Sequence, residues 1–201
     1  MCAGFEESHL IKTPPYTNML TWQQLEELCR DGRLVRWKIG GREVGANGRG
    51  LYMLPEVHQQ LSARPWPASN GEHPNHTRDR RTAMRQVLER FVLGAAIRVK
   101  YDIKELGSER SDEAMRGYWE FRSQGRMTET RLFGFFVRPG AFLATAFCGR
   151  DEFSKASHWV DRRVACEALW KNLCSGSTYI LDPWPVVDAE ELNSYLVRSD
   201  D

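Results

Sequence analysis

Read in twos from Thr130, the chain places Arg131, Phe133, Phe135 and Val137 on one side of an extended segment and Leu132, Gly134 and Phe136 on the other. Both sides carry large apolar groups, which predicts a central strand covered on both faces. An aromatic-rich run, Gly117 to Arg122, precedes it across the turn signal Ser123-Gln124-Gly125. A third run, Ala141 to Phe147, follows across Arg138-Pro139-Gly140. Three apolar runs joined by two turns predict an antiparallel meander.

Around the meander the period changes to 3.6. From Thr77, the residues Met84, Val87, Leu88, Phe91 and Val92 recur at helical spacing while Arg78, Arg80, Arg81, Arg85 and Arg90 take other positions, which predicts an amphipathic helix with a basic outer face ending at Gly94. Ala95 to Tyr101 alternates and predicts a half-buried strand. Asp102 to Gly107 is expected to be a turn or short helix, and Ser108 to Glu113 a charged loop. A second long helix is predicted over 157–173, with Val160, Val164, Ala168 and Leu169 on its apolar side. Thr178 to Leu181 suggests an edge strand stopped by Pro183 and Pro185, and Asp188-x-x-Glu191 caps a last short helix.

The first third has its own pattern. Residues 1–18 lack periodicity. Thr21-x-x-Gln24 has the spacing of a capping box, Leu25, Leu28 and Cys29 form a stripe, and Gly32 stands where a helix ends. Leu34 to Ile39 alternates, two glycine-rich turns lead to Leu51-Tyr52-Met53-Leu54, and Pro55 opens a short helix through Leu61. The stretch 63–76 is dense in proline and turn residues and reads as a linker, with His73 and His76 held in a loop by Pro74 and Asn75 rather than paired on a helix as metal ligands. The expected organisation is an α+β chain: an arm over 1–18, a small module over 19–62, the linker, an antiparallel sheet with packed helices over 77–181, and a tail over 182–201.

Composition narrows the class. No apolar run approaches the roughly 18 residues of a membrane span, and the N-terminus lacks the basic start of a secretory signal, so a cytoplasmic protein with no membrane partner is expected. Five scattered cysteines without a C-x-x-C pair predict reduced thiols, no disulfide framework and no zinc site, and no cofactor motif is present. The net charge of +1 hides a division: residues 77–138 hold 14 Lys/Arg against 9 Asp/Glu, and residues 182–201 hold 6 acids against Arg198. A basic middle is either a solvated surface or an electrostatic footprint for nucleic acid.

Two resemblances follow from these texts. Leu25 to Arg36 and Gly48 to Pro55 resemble the "LxxLxxxGxLxR" helix and "GxGxYxLP" wing of some bacterial winged-helix regulators and antitoxins, although no recognition helix lies between Leu34 and Gly40. That likeness implies nucleic-acid contact through Trp37, Lys38, Arg42 and Arg49, with a structural or partner-binding module as the other reading. Over 77–174, the texts Tyr118-Trp119-Glu120-Phe121-Arg122, Arg131 to Phe136 and Phe142 to Phe147 resemble the "LWELR", "YRxxY" and "xxLLHxFxKK" strands of the RelE/HigB superfamily of bacterial toxins, including its phage-derived branch. This resemblance implies a RelE-like sheet and metal-free cleavage of messenger RNA, usually on the ribosome, with a cognate antitoxin as a further partner. Such chemistry needs cations that grip phosphate oxygens. The matching positions make Arg122, Arg131 and Arg150 the expected catalytic cations and His158 a proton carrier. Arg126 and Lys155, with Arg81 and Arg85 of the basic helix, are the expected RNA contacts. Asp151 stands where the family has a second lysine, and no tyrosine follows in the region where the family has its catalytic one. Those departures favour a non-enzymatic regulatory or anti-defence binder on the same fold. A DNA-binding regulator acting through residues 20–62 is the third reading.

Overall fold

A computed structural model of the chain describes residues 19–40, 48–63, 66, 74–106, 117–123, 129–149, 152, 156–174 and 176–177. The element order is α1 (Trp22–Arg30), β1 (Val35–Arg36), β2 (Gly50–Met53), α2 (Pro55–Ser62), α3 (Pro74–Val92), β3 (Ile103–Glu105), β4 (Trp119–Arg122), β5 (Thr130–Arg138), β6 (Ala141–Gly149) and α4 (Ala156–Leu173). Local chemistry accounts for several ends. Thr21 and Gln24 cap α1 reciprocally, Gln24 N–H to Thr21 Oγ1 at 3.2 Å and Thr21 N–H to Gln24 Oε1 at 2.8 Å. Gly32 closes α1 at φ +72°, and Pro55 opens α2 where its missing N–H is not needed.

The strands form one six-stranded mixed sheet in the order β1-β2-β6-β5-β4-β3. β4, β5 and β6 are the antiparallel meander, and all nine residues of β5 are buried. Helices cover both faces, because alternate side chains of β5 point opposite ways. On one face Phe91 of α3 meets Phe121 edge-on at 5.0 Å and lies beside Phe136 and Phe142. On the other, Trp159 and Trp170 of α4 meet Phe133 and Phe135, with centroids 5.7 and 6.2 Å apart.

The structure departs from the sequence expectations in four places. The segments on either side of 63–76 share one sheet and one hydrophobic cluster, because β2 runs parallel to β6 with Leu51 beside Phe142 and Tyr52 beside Leu143. Trp66 shows why a proline-rich stretch need not be a tether: it is buried, meets Phe147 edge-on at 5.1 Å, and donates Nε1–H to the Leu61 carbonyl at 2.9 Å. Next, the strand expected over 95–101 is replaced by a loop. Lys100 adopts a left-handed φ of 67°, which ends any extended run, and the carboxylate of Asp102 gathers Arg98 N–H, the Arg98 guanidinium and Arg90. β3 begins just after this loop, at Ile103, where a turn or helix was expected. Third, α3 starts at Pro74, so His76 lies on its first turn and not in a loop. Finally, the apolar stripe of α4 is inverted. Arg163, Cys166 and Trp170 are buried, while Val160, Val164 and Leu169 are exposed. Both sides of this helix are apolar, and the side with two tryptophans removes more area from water even though it includes Arg163. That guanidinium lies over the rings of Tyr118 and Phe135 and pairs with Glu167 at 2.6 Å.

The expected arm over 1–18, residues 41–47, the edge strand expected over 178–181 and the expected tail over 182–201 lie outside the described residues.

Candidate nucleic-acid interface

Two of the three arginines that the toxin resemblance makes catalytic are neighbours. The β4–β5 register sets Arg122 directly across from Arg131, and Glu120, two residues before Arg122, shares their face. Two cations side by side need an anion between them, and Glu120 supplies it. Its Oε1 is 3.3 Å from Arg122 Nε and its Oε2 is 3.1 Å from Arg131 Nε, contacts of charge rather than aligned hydrogen bonds. Arg131 also pairs with Glu129 through Nη2 and donates Nη1–H to the Thr130 carbonyl at 3.1 Å. It is 0% exposed. An arginine held this way has both terminal nitrogens engaged and no surface to offer a phosphate, and its charge is tolerated in the interior because two carboxylates balance it. Arg122 keeps 24% of its side chain exposed and donates to the Lys100 carbonyl at 2.5 Å. His158 lies on the first turn of α4, with Nδ1 3.3 Å from the Glu152 carbonyl. Arg42, Arg126, Arg150 and Lys155 lie outside the described residues.

Arg49 has a structural position. It is buried after the end of α3, where its backbone N–H donates to the Val92 carbonyl at 3.1 Å and Nη1 donates to the Ala95 carbonyl at 2.8 Å. Its guanidinium lies over Phe91 at 5.5 Å, and burial lowers its pKa to about 10. Its backbone N–H satisfies the last carbonyl of α3, and its guanidinium ties down the loop that follows.

A different set of expected contacts converges. Lys38 just beyond β1, and Arg81 and Arg85 on α3, line a single groove of about 400 Å³ that also takes in Trp37 and Arg36. Three backbone facts assemble it. Residues 36–38 leave the sheet edge beside α2, which contributes His58 and, one turn on, Leu61 as a wall. Arg81, Arg85 and Leu88 stand at i, i+4 and i+7, one face of α3, so the buried leucine anchors the helix while both arginines border the cleft. Trp66 forms the floor, with the guanidinium carbons of Arg80 and Arg81 each 5.9 Å from its ring centroid. Among the described residues, the lining carries four cations and no carboxylate. Carboxylates sit just outside it: Glu26 holds Arg36 at 2.8 Å and Glu89 holds Arg85 at 2.7 Å. The Arg85–Glu89 pair is exposed and therefore weak and exchangeable, so an incoming phosphate can replace Glu89, whereas the Arg36–Glu26 pair is part-buried and Glu26 also accepts from the Tyr52 hydroxyl at 3.2 Å.

Sequence reasoning placed Lys38 and Trp37 in one unit and Arg81 and Arg85 in another, and it missed Arg36, His58 and Trp66. The signal for Trp66 was its type: a large aromatic inside a run of turn residues is a group that must be buried. Among the described residues, no cluster of three or more His, Cys, Asp or Glu is placed to hold a metal, and no helix is long and apolar enough to cross a membrane. Compared with known proteins, the chain matches no family model, no curated protein and no solved structure.

Proposed function

We propose that the chain is an RNA-binding protein of toxin-like architecture, with the groove between β1, α2 and α3 as its contact surface and with binding rather than cleavage as its role. The observation that carries this is the convergence of Arg36, Lys38, Arg81 and Arg85 with the partly exposed Trp37 on one cleft, floored by Trp66, with no acid among its described lining residues. Cations attract the phosphate backbone and aromatic rings take bases, the combination found in proteins that track a single strand. The burial of Arg131 between two carboxylates supports binding over cleavage, since a phosphoryl-transfer site needs its arginine free to meet developing charge.

The test is the salt dependence of affinity for a short single-stranded RNA. Removing one cation that neutralises a phosphate should lower the slope of log affinity against log salt by about 0.7. Lys38→Ala with Arg85→Ala is therefore expected to reduce the slope by about 1.4. An unchanged slope and affinity would remove the groove from consideration.

Cleavage is the second reading, and one observation favours it: Arg122 stands beside Arg131 across β4 and β5, and its side chain still reaches solvent. New transcript ends in cells expressing the chain would promote it. The DNA-regulator reading has less support, because β2, the strand of the supposed wing, is buried along its whole length between β1 and β6.

A further inference from the structure

We infer that the groove is a site for one unpaired nucleotide, in which a single base lies against Trp37 and its flanking phosphates meet Lys38 and Arg85. This rests on the proposed groove as the RNA-contact surface and specifies what enters it. Size is the first consideration. About 400 Å³ lies near the lower end of the roughly 300–1,000 Å³ range of small-ligand sites, room for one nucleotide-sized group and not for a helix of paired bases. A duplex presents its bases stacked and paired, whereas a single strand can turn one out.

The side chains then divide into roles. Trp66 is 4% exposed and its ring already lies beneath Arg80 and Arg81, so it has little face left for a base. Its function is to hold Arg81 in the cleft. Trp37 is only partly buried, at the point where the chain leaves the sheet edge, and its backbone is fixed by N–H donation to the Leu51 carbonyl at 2.8 Å. It is an aromatic group with a pinned main chain and a partly exposed side chain lining the groove, which suits a stacking platform. Lys38, the next residue, lines the same groove and is exposed, as is Arg85 on α3. A base between them leaves a phosphate within reach of each cation. Every base has a π face, so the site is tolerant of sequence and selective for unpaired structure.

The experiment uses the full chain and fluorescence anisotropy with a labelled oligouridylate, a labelled oligodeoxythymidylate and an RNA duplex of equal length. The expected result is binding of both single strands well ahead of the duplex, and competition by excess uridine 5′-monophosphate. Trp37→Leu, which keeps an apolar side chain on the core, should weaken single-strand binding roughly 5- to 150-fold, and Trp37→Phe should restore most of it. Circular dichroism establishes that each variant is folded. Should Trp37→Leu fail to fold, Trp37→Phe and the mononucleotide competition decide alone. Equal affinity for duplex and single strand, with Lys38→Ala and Arg85→Ala still weakening both, would overturn the single-nucleotide site and leave the groove as an RNA surface. No binding to any of the three at low salt would overturn both.

Discussion

At the scale of single residues, Arg131 is where function and stability are most easily confused. A growth or activity defect on removing it would ordinarily be taken as loss of a catalytic cation. Its surroundings give another outcome. Arg131 has no exposed surface and sits between Glu120 and Glu129, so Arg131→Ala leaves a buried carboxylate with one partner fewer. Breaking a buried ion pair from one side costs about 3 kcal/mol or more, roughly 6–12 °C in midpoint for a chain of this size. Thermal unfolding of Arg131→Ala beside Arg122→Ala checks this, because Arg122 is partly exposed and its loss should cost less. Equal midpoints for wild type and Arg131→Ala would return Arg131 to the catalytic reading. Such a role could not be settled from sequence: an arginine on a strand looks the same whether it faces solvent or a carboxylate.

At the scale of elements, sequence pattern succeeded where one face of an element differs sharply from the other. The stripe of α3, from Met84 to Val92, is buried as its spacing implied, and the meander has its three strands and two-sided burial. The pattern failed on α4, whose two sides are nearly equal in hydropathy. Periodicity cannot choose between two apolar stripes, and the neighbouring aromatic residues of β4 and β5 decide. The inversion has a measurable consequence. Trp170→Ala should lower stability by about 3–5 kcal/mol in urea titration, as deletion of a buried aromatic does, whereas Val164→Ala, on a residue 61% exposed, should stay within about 0.5 kcal/mol. Comparable losses from the two would mean that the outer face of α4 is covered. The region after α3 failed for a related reason. Alternation over 95–101 is genuine, but one buried carboxylate, Asp102, closes the chain into a loop through Arg98 and Arg90. That contact joins residues whose partnership periodicity does not register.

At the scale of the whole molecule, the placement of β2 joins the first third of the chain to the rest. A proline-rich stretch between two patterned regions looks like a boundary in sequence, and composition alone has no term for a parallel strand arriving beside β6. Leu51 to Met53 pair along Phe142 to Ala144, Gly50 N–H donates to the Gly140 carbonyl at 2.7 Å, and Trp66 packs on Phe147. Removing residues 1–73 therefore uncovers the hydrogen-bonding edge of a nine-residue apolar strand and part of its side-chain cover. An exposed edge of that kind pairs with other chains. In the intact sheet the edges are β1, of two residues, and β3, of three, too short to serve as templates. The groove depends on the same junction, since Lys38 comes from one side of it and Arg85 from the other. Two measurements follow. A fragment of residues 74–201 is expected to aggregate or to lack a cooperative transition alone, and to become soluble when produced together with residues 1–73, the pair co-eluting on gel filtration. The full chain should unfold in one step, with near- and far-ultraviolet circular dichroism coinciding. A soluble 74–201 fragment with its own sharp transition, indifferent to the other piece, would instead establish two independent units and would separate the two halves of the groove.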